Sequence, residues 1–139
     1  KRMANPSSIP ALQSAMGGAE AGEREKIVRA FGSIGVEAHA HLFSALSDPE
    51  KGVQLAALQG LTLDRSEPLM LKLIGMAEHP DPDVRLAAVD AMQRFSDGRV
   101  VGPLANALED VDSRVARQAR RSLDHLESVV ARKGTSSDQ

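Results

Sequence analysis

Four histidines are the side chains of this sequence best suited to bind a metal ion or move a proton at neutral pH, since its 139 residues include no cysteine. His39 and His41 are two residues apart, and on a helix this spacing turns their side chains about 200° away from each other. They therefore cannot bind one ion from the same face. His79 stands where neighbouring segments have Asp48 and Asp110, which predicts that it caps a helix or a turn. We expect no metal site.

The serines do not form a recognisable nucleophile motif. No Gly-x-Ser-x-Gly stretch surrounds Ser44, Ser47, Ser66 or Ser96. The glycine-rich stretch AMGGAEAG is not followed by the Gly-Lys-Ser/Thr of a phosphate-binding loop, which predicts an ordinary loop. We therefore expect no catalytic residues and no cofactor, and hence a protein that is not an enzyme.

The strongest concentration of charge is the segment DSRVARQARRSLDHLE. On a helix Arg114, Arg117 and Arg121 lie within an arc of about 60°, and Arg120 extends it, so four guanidinium groups share one side. Such a face can bind phosphate groups or an acidic partner. The favoured interpretation is a solvated helix face, because the apolar residues of the segment lie opposite. The lack of aromatic residues disfavours nucleic acid, and we treat the four arginines as a secondary partner-binding surface.

The composition limits the class of protein that positions these side chains. The net charge of -2 arises from 17 basic and 19 acidic residues, so no overall field attracts a polyanion or an acidic membrane. No apolar run approaches the roughly 20 residues of a membrane-spanning helix, and the start KRMANPSS lacks the apolar part of a signal peptide. We expect a soluble chain with a cytoplasmic location favoured, and its start at Lys1 is compatible with a fragment of a longer protein.

The chain repeats itself at a spacing of 31 residues. Fixed-period similarity of this length is typical of a solenoid, in which neighbouring units bury the apolar face that one unit cannot bury alone. An earlier copy, IPALQSAM, follows the pattern after a one-residue adjustment. Apolar residues coincide in four rows: Val53, Val84 and Val115; Ala57, Ala88 and Ala119; Leu61, Met92 and Leu123; and Leu42, Leu73 and Leu104.

Each repeat is predicted to hold two helices. In the first helix Val84, Ala88 and Met92 share one face, and the preceding HPDPD supplies the prolines and acidic residues favoured at a helix start. The second, EPLMLKLIGMAEH, is also helical and more apolar. The sequence predicts an all-α solenoid of stacked antiparallel helix pairs. It has one helix near residues 8 to 16, three pairs, and a last helix near 112 to 131.

These elements define the expected domain organisation. We expect a repeat domain of about four repeats over residues 9–131, a flexible N-terminal segment over 1–8 and a disordered tail over 132–139. The leading helix has no partner on its outer side, and its Ile9, Leu12 and Met16 make weak self-association an open possibility.

The stretch DPDVRLAAVDAM, followed by VVGPLANALED, resembles HEAT-like repeats, particularly the short variety named after phycobilin lyases. The resemblance rests on the Asp-Pro, Val-Arg, Ala-Ala and Leu-x-x-x-Leu elements and covers about residues 9 to 126. It implies a right-handed superhelix in which the second helix of each pair lies on the concave side, usually a binding surface. Enzymes of this class that resemble deoxyhypusine hydroxylases bind iron through His-Glu dipeptides, and this chain has none.

One departure from the family pattern concerns the arginine of Val-Arg, which commonly joins an Asp ladder between repeats. The equivalent positions here are Gln54, Arg85 and Ala116, so one of the three keeps its arginine. We expect the stem of Arg85 to be packed and its head to be held by a nearby carboxylate, for which the candidates are Asp81, Asp110 and Asp112.

The predicted concave strip follows from the 31-residue register of the second helices. Its small residues and mixed charge suit a polypeptide better than a nucleic-acid backbone, which needs mainly Lys and Arg. The same small residues could also serve helix packing, and both interpretations stay open. The predicted contact residues are His41, Ser44, Leu71, Lys72, Gly75, Glu78, Arg99, Asn106 and Glu109.

The sequence therefore predicts a non-enzymatic scaffold that binds another protein, or another domain of its parent chain, through this strip. Two alternatives remain: a nucleic-acid-binding repeat protein that uses the C-terminal arginines, and a regulatory or lyase-like subunit of an enzyme complex. Nucleic acid is disfavoured as a partner, and no membrane span is expected.

Overall fold

The computed structural model describes residues 5–137, and these fold entirely into helices and connecting turns. The predicted all-α fold of paired helices is confirmed, whereas the handedness of the solenoid stays a prediction. The α-helices of the described residues are α1 (Ile9–Met16), α2 (Ala21–Ile34), α3 (His39–Ala45), α4 (Lys51–Gly60), α5 (Glu67–Met76), α6 (Pro82–Met92), α7 (Val101–Ala107) and α8 (Ser113–Ser137). Short 3-10 helices at Pro6–Ser8, Val36–Ala38 and Gly98–Val100 precede α1, α3 and α7.

The last helix is longer than predicted. α8 continues to Ser137, past the predicted end near residue 131, because Ala131 and Arg132 are good helix formers and no proline follows them. Residues 1–4 of the predicted N-terminal segment and residues 138–139 of the predicted tail lie outside the described residues.

The helix starts follow from local capping chemistry. α6 begins at the predicted Asp-Pro, where the Asp81 carboxylate accepts the backbone N–H of Asp83 at 2.8 Å. α2 lacks an Asp-Pro start and uses a capping box instead, in which the side chains of Glu20 and Glu23 each accept a backbone N–H of the other. A different local device thus starts the helix where the family pattern is weakest.

The chain divides into two compact units: an N-terminal unit, residues 1–64, and a C-terminal unit, residues 65–139. In the N-terminal unit α2 packs against α1, α3 and α4. In the C-terminal unit α8 packs against α6 and α7, and α5 packs against α6. In three of the four predicted apolar rows, no residue is more than 1 % exposed. These are the rows that begin at Val53, Ala57 and Leu42.

Two glycines allow α2 and α4 to approach closely in the N-terminal unit. A Cβ atom added to Gly60 would lie 3.1 Å from the Cα of Gly32 and 3.0 Å from a methyl carbon of Leu42. Because one of these neighbours is backbone, the helices would have to separate to admit a side chain. Gly75 on α5 differs, since a Cβ atom there meets no atom within 4 Å.

We predict that Gly60→Ala lowers the free energy of unfolding by about 1–3 kcal/mol through overpacking. Gly75→Ala should raise it by about 0.5 kcal/mol, because alanine favours the helix and has open space to occupy. Urea denaturation followed by circular dichroism measures both variants. Equal effects of the two substitutions would show that the α2–α4 approach is not sterically limited.

Candidate functional site

The guanidinium of Arg85 joins α6 to the turn that follows α7. Its Nε donates to Asp110 Oδ2 at 2.8 Å and its Nη2 donates to Asp110 Oδ1 at 3.0 Å. Its Nη1 donates to the carbonyls of His79 and Pro80 at 2.9 and 3.1 Å. Of the three carboxylates proposed from the sequence, Asp110 is the bidentate partner, and its hydrogen bonds from Arg85 lower its pKa.

The N-terminal unit contains a second arginine in the same arrangement, which the sequence interpretation missed. Arg24 Nε and Nη2 donate to Asp48 at 2.9 and 3.1 Å, and Nη1 donates to the Ala19 carbonyl at 3.0 Å. Burial raises the pKa of Asp48, but the hydrogen bonds from Arg24 and the Glu50 N–H outweigh it and lower the pKa overall. The one-residue adjustment that aligns IPALQSAM would also have aligned Arg24 with Arg85.

Asp48, His79 and Asp110 share a second role as turn caps. Each accepts the backbone N–H two residues further on, at 3.0, 2.9 and 2.8 Å, and His79 does so through Nδ1. The predicted capping role of His79 is therefore confirmed. Gln54 on α4 holds the position equivalent to Arg85, and its Nε2 donates a hydrogen bond to the Asp48 carbonyl. The Oε1 atom of Gln54 is buried and has no hydrogen-bond partner among the described residues.

The other histidines of the N-terminal unit have neighbours of their own. His39 Nδ1 lies 3.3 Å from Asp64 Oδ2. The ring of His41 stacks on Phe31, with the ring centres 4.8 Å apart and the planes 7° from parallel. His41, a predicted partner contact, is thus half-buried against the core, while Ser44 is exposed on the same helix. Within residues 5–137, no group of three or more His, Asp or Glu residues is placed to hold a metal ion.

The predicted contact residues of the C-terminal unit lie mainly on α5, on α7 and beside them. A groove with a volume of about 330 Å³ lies between these two helices. Glu78 and Asn106 line it, and Gly75 and Leu71 are exposed on α5. We call this the α5–α7 surface and define it by Leu71, Ile74, Gly75, Glu78, Gly102, Pro103, Asn106 and Glu109.

The charges beside the α5–α7 surface differ in whether they are paired. Arg99 is paired twice, since it donates to both carboxylate oxygens of Asp97 and, at 2.6 Å, to Glu67 at the start of α5. The hydrogen bonds that Asp97 accepts from Arg99 lower the pKa of Asp97 to about 2. The side chains of Glu78 and Glu109 form no hydrogen bond or ion pair with any residue of the described chain. The unpaired charge on this surface is therefore negative, and Lys72, which has a partner, is half-buried.

A family model for HEAT repeats matches residues 39–124. The chain belongs to the HEAT-repeat family. A search of curated proteins finds no match. None of the helices described in residues 5–137 is both long and apolar enough to cross a membrane.

The four arginines of the last HEAT helix are all exposed, but two of them have partners. Arg114 pairs with Asp83 on α6 at 3.0 Å and with Asp112 at 3.1 Å. Arg121 donates from Nη2 to Gln118 Oε1 at 2.9 Å. Arg117 and Arg120 form no hydrogen bond or ion pair with the part of the chain that the structure describes. The face predicted as one cluster therefore contains both structural and unpaired guanidinium groups.

We predict that Arg85→Ala lowers the free energy of unfolding by about 2 kcal/mol, because Asp110 and two carbonyls lose a charged donor. The side chains of Arg85 and Asp110 are only 14 % and 11 % exposed, so water replaces these bonds poorly. The matched control is Arg94→Ala, since Arg94 and Asp90 are 3.7 Å apart and 30 % and 47 % exposed. It should cost about 0.5 kcal/mol or less. Urea denaturation giving equal losses would contradict a structural role of the Arg85 bridge.

Two aspartates are expected to make the stability of the folded protein depend on pH in the acidic range. The pKa values of Asp48 and Asp110 are lower in the folded protein than the ordinary value of 3.8, so their contribution to stability is complete above that pH and is lost as the pH falls through the folded values. Asp48→Asn with Asp110→Asn should flatten the fall of stability below about pH 4. Urea midpoints measured between neutral and strongly acidic pH test this, and an unchanged slope in the double variant would contradict it.

Proposed function

We propose that the protein is a non-enzymatic HEAT-repeat interaction module that binds a polypeptide through the α5–α7 surface. HEAT repeats typically mediate protein–protein interaction or scaffolding. The observation that carries the proposal is the set of unpartnered polar groups, Glu78, Asn106 and Glu109, on a surface that also exposes Leu71. Exposed apolar area with a polar rim is a feature of protein–protein binding sites.

Each of these groups suits a peptide. Asn106 can donate and accept hydrogen bonds at once, as a peptide backbone requires. Gly75 and Gly102 have no Cβ atom, and a Cβ atom built on either meets nothing within 4 Å, so a partner backbone can approach both helices. Leu71 is 50 % exposed and offers apolar area to a partner side chain.

The negative charges indicate what the partner carries. Glu78 and Glu109 are 31 residues apart and hold equivalent positions in successive repeats. Both are exposed, and neither has an ion-pair partner among the described residues. A lysine or arginine of a partner would supply the missing charge. A phosphate backbone would be repelled, which favours a polypeptide over nucleic acid for this surface.

The experiment is affinity capture from a lysate of the source organism, with bound proteins identified by mass spectrometry after nuclease treatment. The test variant combines Gly75→Gln and Asn106→Gln, which adds bulk to the surface while keeping good helix formers on α5 and α7. The control is Ala105→Gln, because Ala105 is exposed on α7 but does not line the groove.

We expect a partner protein that binds the native chain and the control and is reduced about tenfold or more by the double variant. Retention of every partner by a folded double variant would reject the α5–α7 surface. Loss of all partners after nuclease treatment would instead indicate nucleic acid, and capture of a catalytic subunit or a chromophore would indicate a regulatory or lyase-like subunit.

A further inference from the structure

A second groove lies between α6 and α8 of the C-terminal unit, on helices other than those of the α5–α7 surface. Its volume is about 580 Å³. α6 supplies one wall and α8 the other, and five of the eight lining residues are charged. The lining residues are Asp83, Leu86, Ala87 and Asp90 from α6, and Arg114, Arg117, Gln118 and Arg121 from α8.

The acidic wall of this groove is largely compensated by arginines of the same unit. Asp83 Oδ1 lies 3.0 Å from Arg114 Nη2, and this ion pair closes the groove where both helices begin. Asp90 accepts a hydrogen bond from Gln93 at 2.8 Å and has Arg94 at 3.7 Å. The lining charges without an ion-pair partner among the described residues are those of Arg117 and Arg121, whose one side-chain acceptor is the neutral Gln118.

Arg121 is held in place by a buried chain of hydrogen bonds. Its Nη2 donates to Gln118 Oε1 at 2.9 Å, Gln118 Nε2 donates to Ser122 Oγ at 3.2 Å, and Ser122 Oγ donates to the Val89 carbonyl at 3.0 Å. Ser122 is fully buried and Gln118 is 8 % exposed. Val89 lies in the last turn of α6, where carbonyls lack helical partners, so the chain connects that turn to the groove.

This arrangement leaves Arg121 both fixed and available. One of its N–H groups is used by Gln118, and the other donors of its guanidinium fork form no hydrogen bond with a described residue. A guanidinium held before the ligand arrives loses less conformational entropy on binding than a free one. Arg117 and Arg121 are four residues apart on α8, so about 6 Å of helix axis separates them.

We propose that the α6–α8 groove binds an acidic helix of another protein, whose carboxylates pair with Arg117 and Arg121. Glutamates four residues apart on a partner helix repeat at the same spacing of about 6 Å. Leu86 and Ala87, both half-buried on α6, offer apolar contact to the stems of those glutamates. The absence of aromatic side chains from the lining favours a protein over single-stranded nucleic acid, which would stack its bases.

The test uses the full chain and a fluorescein-labelled alanine-based peptide with a glutamate at every fourth residue. A peptide with glutamine at those positions is the neutral control, and a labelled single-stranded oligonucleotide is the second ligand. Fluorescence anisotropy at low and at physiological salt gives the affinities. The variants are Arg117→Ala and Arg121→Ala, and Arg120→Ala is the matched control because Arg120 is exposed on α8 but does not line the groove.

We expect the glutamate peptide to bind and the glutamine peptide not to bind. Arg117→Ala and Arg121→Ala should each weaken binding about tenfold, and Arg120→Ala by less than about twofold. No binding of the glutamate peptide, an equal loss with Arg120→Ala, or stronger binding of the oligonucleotide would overturn the proposal. The Gly75→Gln and Asn106→Gln variant should leave peptide affinity unchanged, so this proposal and that for the α5–α7 surface can fail separately.

Discussion

The constraint on which this structure depends is the shortness of its helices. Helices of fewer than roughly 12 to 15 residues are marginal in water, and six of the eight α-helices in residues 5–137 have only 7 to 11 residues. They persist because packing against neighbours buries their apolar rows. Within the C-terminal unit, repetition of the same small residues lets neighbouring helices bury matching faces, which explains why Val84 and Val115, one repeat apart, are both fully buried.

Apolar packing provides no hydrogen bonds for the backbone carbonyls in the turns between helices, and bidentate arginines supply some of them. Arg24 and Arg85 bind a carboxylate 24 and 25 residues further along the chain, respectively, and each binds a carbonyl just before its own helix. Each carboxylate also caps the turn in which it lies. One guanidinium thus stabilises two turns that are distant in sequence. Gln54 reaches only a carbonyl, so α4 has a weaker version of the same link.

Much of this fold was predictable because its signals are local and repeated. The helices, the buried rows and the bond from Arg85 to a nearby carboxylate follow from period and register. Arg24 was missed because a one-residue shift moves it out of register. The pair of Asp83 and Arg114 could have been found, since these residues are 31 apart and equivalent positions of successive repeats are neighbours. The series of hydrogen bonds from Arg121 to Val89 could not have been predicted, because it depends on how α8 packs against the end of α6.

Because equivalent positions of successive repeats are neighbours, the charges at these positions show which side chains pair within the fold and which remain available to a partner. Where opposite charges hold equivalent positions, as Asp83 and Arg114 do, the fold pairs them internally. Where like charges do so, as Glu78 and Glu109 do, the fold leaves both without a described counter-charge. The second arrangement adds no ion pair within the described chain, but it leaves two carboxylates with which a basic partner could pair. Charge at equivalent positions is therefore a better guide to the proposed binding surface of this HEAT-repeat protein than total charge, because its positive and negative side chains almost balance.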